Sequence, residues 1–207
     1  MPTLLANGGP VIWLILIAAA TAAVVFVERA LFCHRSQINS AEFLNGVRTV
    51  VKRGNVVEAI SICDATPGPV ARLVKAAILH REQGRDRVRE VVEEAGLTEV
   101  PRLEEKLNLL ATIAQISPLL GLFGTIVGFI NIFMTLQHAG SYVAMSGDQF
   151  SLAKGIWEAL ICSAAGIAVA IPAHAGYNYL VSRVNKIVLD MERAAAEIVN
   201  IVTENGK

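Results

Sequence analysis

Four polar side chains lie inside long apolar stretches of this sequence, where each one costs free energy and needs an explanation. Thr125 lies in the second stretch, and Glu158, Ser163 and His174 lie in the third. An ionisable group inside an apolar span is a functional-site hypothesis, because burying its charge is expensive. Hydroxyl, carboxyl and imidazole groups are also the groups that pass ions or protons along a path through a membrane.

The same side chains have structural interpretations. Glu158 is an interfacial carboxylate if it pairs with Lys154, four residues before it. Thr125 and Ser163 are packing residues if their hydroxyls bond only to carbonyl groups of their own helices. The residues alone leave both interpretations open.

Further polar residues occupy these stretches. His174 is a candidate proton relay near neutral pH, or else it satisfies a backbone carbonyl that Pro172 leaves without its helical partner. Asn131 suits a hydrogen bond between helices, with ion binding as the alternative. Tyr177 and Asn178 complete the polar or relay candidates.

Three apolar stretches are long enough to position these side chains in a bilayer. A transmembrane helix needs about 20 apolar residues, and the candidates are 11–27, 109–136 and 156–180. A cleaved signal peptide is the alternative for the first stretch, but it begins with positive charge, and no charged side chain precedes Val11. We predict an all-α, polytopic membrane protein with three transmembrane helices.

The positive charges predict the orientation of these helices. Thirteen of the 18 Lys and Arg residues lie between Glu28 and Asn108, four follow Leu180, and Lys154 is the remaining one. Cytoplasmic flanks carry the excess of positive charge, so the N-terminus is periplasmic and the C-terminus cytoplasmic. The other predicted segments are a periplasmic N-terminus (1–10), a cytoplasmic helical region (28–108), a periplasmic loop (137–155) and a cytoplasmic C-terminal helix (181–207).

Small residues recur at helical spacing on the second and third spans. The first set is Ser117, Gly121, Gly124 and Gly128, and the second is Ala159, Ser163, Gly166 and Ala170. Glycine costs about 1 kcal/mol relative to alanine in a helix interior, and close helix approach in lipid compensates for that cost. We predict that these two seams, with Pro118 and Pro172, pack helices together, and we interpret them as contacts in an assembly of several copies.

Helix-breaking residues divide the region between the first two spans. Gly54 and the segment Pro67–Pro69 are predicted to separate three short helices with apolar stripes. Pro101 suits the first turn of a new helix. Leu103, Leu107 and Leu110 then continue the helical spacing, so this helix is predicted to run straight into the second span.

Composition excludes several classes of protein. Charge is balanced at 18 basic and 18 acidic residues, so nothing indicates nucleic-acid binding. Cys33, Cys63 and Cys162 show no metal-ligand spacing and are predicted to be free thiols. The sequence has no phosphate-binding loop and no nucleophile–base pair, so we predict neither an enzyme nor a cofactor.

Two long motifs resemble the MotA/TolQ/ExbB proton-channel family, in particular its TolQ/ExbB branch. The first is PLLGLFGTIVG from Pro118 to Gly128, and the second is GIWEALICSAAG from Gly155 to Gly166. The second continues through Ala170–Ala173 to Tyr177 and Asn178, and weaker similarity covers Gly54–Leu79. Three spans argue against the flagellar stator branch, which has four.

The resemblance implies an arrangement and a role for several residues. Such chains form a homopentamer whose second and third spans line a central pore, and the pore holds single-span partners of the ExbD/TolR type with a membrane Asp. Thr125 matches the pore threonine and Glu158 the acidic position of the third span. Ser163 stands where threonine is usual, and the departure keeps the hydroxyl.

The function expected from this resemblance is a stator subunit of an ion-driven inner-membrane motor. H+ is the expected ion, and proton motive force would be converted to mechanical work for TonB-linked transport or Tol–Pal envelope maintenance through a TonB/TolA-like transducer. Membrane lipid is the other expected contact. A self-sufficient ion channel and a structural membrane scaffold are the alternatives.

Overall fold

The computed structural model describes residues 9–139 and 149–204, and all regular elements in these ranges are helical. This agrees with the predicted all-α class. The elements are α1 (Gly9–Ser36), α2 (Ser40–Lys52), α3 (Val56–Ala65), α4 (Pro69–Leu79), a 3₁₀ turn (Arg81–Gln83), α5 (Arg85–Glu104), α6 (Leu107–Ala139) and α7 (Gln149–Glu204).

Three helical stretches are long and apolar enough to cross a membrane. They lie within Val11–Lys52, Arg85–Met134 and Gly155–Thr203. They include the predicted spans 11–27 and 156–180, and the predicted span 109–136 as far as Met134. The number of candidate membrane-spanning helices is therefore the number that the sequence predicts.

The described residues form two compact units. The first, called the membrane unit, contains α1 up to Val27 and residues 106–178. The second, called the bundle unit, contains residues 28–105 and α7 from Tyr179 onward. Each unit is therefore assembled from segments that are distant in sequence.

Two helices of the bundle unit begin with the same local structure. The Asn39 carboxamide oxygen accepts a hydrogen bond from the backbone N–H of Glu42 (3.5 Å), and its nitrogen donates to the Glu42 carboxylate (3.2 Å). Asn55 and Glu58 repeat this arrangement at the start of α3, at 3.3 and 2.8 Å. Both asparagines therefore satisfy N–H groups that a helix start leaves without intrahelical partners.

The predicted breaks between α2, α3 and α4 are confirmed. Gly54 follows α2 with a φ of 76°, and Gly68 precedes α4 with a φ of 125°. A Cβ added to Gly68 would lie 3.1 Å from the Ser36 carbonyl oxygen, so this turn needs glycine for its conformation and for its closeness to the end of α1.

The predicted helix start at Pro101 is wrong. α5 runs through Pro101 to Glu104, and the break follows at Lys106, whose φ of 63° ends the helical path. Tertiary contacts explain why α5 continues: Glu99 is 8% exposed, and its carboxylate accepts hydrogen bonds from Arg72 (2.8 Å) and Arg102 (3.1 Å). The expected uninterrupted helix into the second span is therefore two helices, α5 and α6.

Arg29 binds the C-terminal end of α5. It is 4% exposed, and its guanidinium donates to the Arg102 carbonyl oxygen (3.2 Å) and pairs with the Glu105 carboxylate (2.9 Å). The last carbonyl groups of a helix lack intrahelical donors, and a cation near them is favoured by the helix dipole. Arg29 therefore has a structural role besides its contribution to the charge distribution.

Within the described residues, both ends of the polar loop predicted at 137–155 are helical. α6 continues to Ala139 and α7 already begins at Gln149. The intervening residues 140–148 lie outside the described ranges. Helical geometry thus extends into both ends of the predicted loop.

Candidate ion-path site

The two small-residue seams face each other within the membrane unit. A Cβ added to Gly166 would lie 2.6 Å from the Ser117 carbonyl oxygen, and one added to Gly121 would lie 3.0 Å from the Cys162 carbonyl oxygen. A Cβ added to Gly128 would lie 3.0 Å from that of Ala159. The backbones of α6 and α7 therefore approach as closely as glycine permits.

This arrangement changes the interpretation of the seams. They are filled within one chain, by α6 against α7, and so they do not argue for contacts between copies. Ser117 and Ala159 are 1% exposed and Ala170 is 8% exposed, whereas Pro118 is half-buried and Pro172 is exposed. A packing role for Pro172 remains a prediction.

Thr125 connects the two helices of the hairpin. Its hydroxyl donates to the Gly121 carbonyl oxygen of its own helix at 3.0 Å and to the Ala159 carbonyl oxygen of α7 at 3.1 Å. The sequence interpretation of a hydroxyl bonded only to its own helix is therefore incomplete. One half-buried hydroxyl contacts both helices that bear the family-like motifs.

Ser163 lies one helical turn from the Thr125 contact. It follows Ala159 by four residues on α7, and its carbonyl oxygen would be 3.1 Å from a Cβ on Gly121, itself one turn before Thr125. A turn of helix rises about 5.4 Å. Thr125 and Ser163 therefore occupy adjacent levels of the α6–α7 hairpin.

Glu158 is adjacent to the same contact. It immediately precedes Ala159, whose carbonyl accepts from Thr125, and its side chain is half-buried. The side chain of Lys154, its alternative partner from the sequence, is not among those described. The structure thus brings Thr125, Ser163 and the backbone position of Glu158 to one region of the hairpin.

The other polar candidates lie elsewhere. His174 is exposed, and its ring centroid is 6.4 Å from that of Tyr177. It follows Ala159 by fifteen residues, or about 22 Å of helix, so it does not belong to the Thr125 region. Asn131 and Asn178 are exposed.

Cys162 is a component of the seam that the small-residue pattern does not include. It is 3% exposed, and a Cβ added to Gly124 would lie 2.9 Å from the Cys162 Cβ. Its spacing in the sequence could have predicted this place in the seam, because Cys162 lies three residues after Ala159 and four before Gly166, on the same helix face. Its small thiol fills the seam opposite glycine.

The three cysteines are free, as predicted, and the structure shows that all three are also buried. Among the described residues, no group of three or more His, Cys, Asp or Glu side chains is placed to hold a metal ion.

Comparison with known proteins shows which family the chain belongs to. The MotA/TolQ/ExbB proton channel family matches residues 65–193, more than half of the chain, including both motifs of the hairpin. The chain belongs to this family, in its TolQ/ExbB branch. The three apolar helices and this membership make the chain a multi-pass membrane protein of a channel-type family.

Individual relatives come from both sides of the branch. The Tol-Pal system protein TolQ of Haemophilus influenzae is 40% identical over 104 residues, which are 50% of this chain and 43% of that protein. The biopolymer transport protein ExbB of Neisseria gonorrhoeae is 26% identical over 188 residues, or 83% of this chain and 81% of that protein. An ExbB homologue of Methanothermobacter thermautotrophicus is 26% identical over 180 residues, and the chain spans 62% of its length.

Proposed function

We propose that this chain is the stator subunit of a proton-driven motor in the inner membrane. Five copies would surround a pore that holds ExbD/TolR-like single-span partners, and each partner would contribute a membrane Asp. Proton motive force would then drive mechanical work for TonB-linked transport or Tol–Pal envelope maintenance through a TonB/TolA-like transducer. The family membership and the relatives named ExbB and TolQ support this proposal.

The proposed ion path rests on one observation, the position of the Thr125 hydroxyl. It lies inside an apolar span, in contact with both helices of the matched motifs. In the proposed path Thr125 and Ser163 provide hydroxyl oxygens at adjacent levels, and Glu158 provides a carboxyl group at the outer side. No described residue of α6 is Asp, Glu, Lys or Arg, which is consistent with an acid supplied by a partner.

A structural scaffold is the second candidate, and the same contact favours it. A hydroxyl that donates across the α6–α7 seam stabilises the hairpin whether or not ions pass. The two functions predict different outcomes when the hydroxyl is removed without a change of shape. A scaffold would lose stability alone, whereas a stator would also lose ion-driven work in the molecules that remain assembled.

The test compares two Thr→Val substitutions on the same helix. Thr125→Val removes the hydroxyl of the proposed path, and Thr112→Val removes one that donates only to its own helix, to the Asn108 carbonyl oxygen at 2.7 Å. We expect proton flux in membrane vesicles with the partner present to fall about 2- to 10-fold for Thr125→Val and to stay unchanged for Thr112→Val. Ser163→Ala should have a milder effect.

Assembly is measured in the same samples by native mass spectrometry. Glu158→Gln tests the carboxyl group proposed for the outer side of the ion path. This substitution should lower proton flux without loss of the pentamer. If Thr125→Val and Glu158→Gln both assemble and conduct like the unmodified protein, neither residue lies on an ion path, and the scaffold is the better interpretation.

A further inference from the structure

The Thr125 hydroxyl has limited capacity left for another partner. A hydroxyl group has one proton to donate and two lone pairs that accept. Two carbonyl oxygens, those of Gly121 and Ala159, already lie within 3.0 and 3.1 Å of that single proton donor. The capacity that remains is therefore that of an acceptor.

We propose that Thr125 acts on the ion path as a hydrogen-bond acceptor only, so that it selects cations and protonated carboxyl groups over carboxylates. The inference rests on the proposed function, because it concerns the species that meets Thr125 in the path. On this inference, Thr125 interacts more favourably with a carboxyl group in the path when that group is protonated. A hydroxyl free to rotate would instead have donated equally well to a carboxylate.

The hairpin geometry keeps the proton in place. Bonding to the carbonyl four residues earlier is a common local arrangement for threonine in a helix. Here a second carbonyl, from the facing helix, lies in reach of the same hydroxyl because Gly121, Gly128 and Ala159 allow the backbones to approach closely. Turning toward a carboxylate would give up both contacts at once.

The titratable surroundings of Thr125 are few. On α7, Glu158 and Cys162 flank the accepting residue Ala159. The described membrane-unit part of α1, Gly9–Val27, has no titratable side chain, and the only one on α6 is His138 near its end. The acid that meets Thr125 is therefore Glu158 or a carboxyl group of another chain.

The sign of a pH shift distinguishes an acceptor from a donor. An acceptor stabilises the protonated acid, so its removal moves the midpoint of proton flux against pH to lower pH. A donor stabilises the carboxylate, so its removal moves the midpoint to higher pH. With a typical hydrogen bond, the displacement is about half to one pH unit.

The experiment measures that midpoint in vesicles that contain the whole complex. Thr125→Val should shift it down by about half to one unit, Thr125→Ser should leave it in place because the hydroxyl is kept, and Thr112→Val should leave it in place as the matched control. If Thr125→Val does not assemble, Thr125→Cys replaces it and should shift the midpoint in the same direction, since a thiol is a weak acceptor.

The outcomes separate this inference from the proposed function. Reduced flux with an upward or absent shift overturns the acceptor role and leaves the ion path intact. Unchanged flux and midpoint in Thr125→Val removes Thr125 from the path, so the proposed function loses its main support as well. A downward shift that persists with Glu158→Gln supports the inference with an acid from another chain, whereas one that disappears supports it with Glu158 as the acid.

Discussion

At the scale of single residues, Cys63 shows how burial controls reactivity. It is 4% exposed on α3, and burial together with the neighbouring Asp64 raises the pKa of its thiol to about 11. Because the thiolate is the reactive form, we expect a maleimide at pH 8 to modify Cys63 at least about 100-fold more slowly than a cysteine with an ordinary pKa. Ser61→Cys, an exposed position on the same helix, provides that reference by peptide mass spectrometry.

The pH dependence of this site has a definite sign. The thiol of the unfolded chain ionises near pH 9, whereas that of the folded chain ionises near pH 11. The contribution of Cys63 to stability is therefore constant below pH 9 and decreases as pH rises toward 11. Comparable labelling rates for Cys63 and the Ser61→Cys reference would contradict the buried placement of the thiol.

At the scale of helices, the α6–α7 seam should be intolerant of added atoms. Gly166→Ala places a Cβ within 2.6 Å of the Ser117 carbonyl oxygen, and backbone atoms cannot move aside as a flexible side chain can. We expect a lower melting temperature, by several degrees, in detergent. Gly96→Ala on α5 is the control, because its added Cβ would meet no atom within 4 Å other than the adjacent backbone of its own helix, and alanine favours helix by about 1 kcal/mol. Equal melting temperatures would mean that the seam is loosely packed.

Local signals explain which helix boundaries the sequence could predict. Glycine at Gly54 and Gly68 adopts positive φ, so the type of residue and the backbone conformation agree. Lys106 also has a positive φ and ends the helix there, yet lysine has no preference for positive φ. Pro101 is a residue type common at helix starts, but it lies inside α5. That boundary depends on Arg29, which binds the end of α5, and on Arg72, which binds Glu99 of α5; both come close to α5 only in the folded chain.

The candidate site was predictable in composition but not in geometry. Motifs and small-residue spacing identified Thr125, Ser163 and the two seams. They did not show that the seams meet within one chain or that the Ala159 carbonyl accepts from Thr125, because an acceptor on another helix leaves no mark in the local sequence. Its position is determined only by the packing of α6 on α7.

At the scale of the whole molecule, the orientation in the membrane is the main open prediction. Ser146→Cys should react with an impermeant thiol reagent from outside intact inner membranes, and Glu82→Cys should not. Glu82 has a side chain that is 84% exposed, and it is a better site for a cysteine than the nearby Gly84, where a φ of 92° disfavours any residue but glycine. If only Glu82→Cys reacted, the orientation in the membrane would be the reverse of the predicted one, and so would the direction of ion flow that the proposed motor requires.

The division of the bundle unit has a consequence for biosynthesis. Its residues 28–105 are made first, but α7 from Tyr179 onward is made only after the intervening part of the membrane unit. At about 5–20 residues per second, this delay lasts about 4–15 s. During that time α5 lacks its α7 neighbour: Arg85 has not yet met Asn200, to whose carboxamide oxygen it donates at 3.2 Å, and Val92 has not yet met Ala195 and Val199, which line one cavity with it. This side of the nascent unit is then open to chaperones, proteases or other nascent copies. Synthesis and membrane insertion of the last helix therefore determine when this unit becomes safe from aggregation.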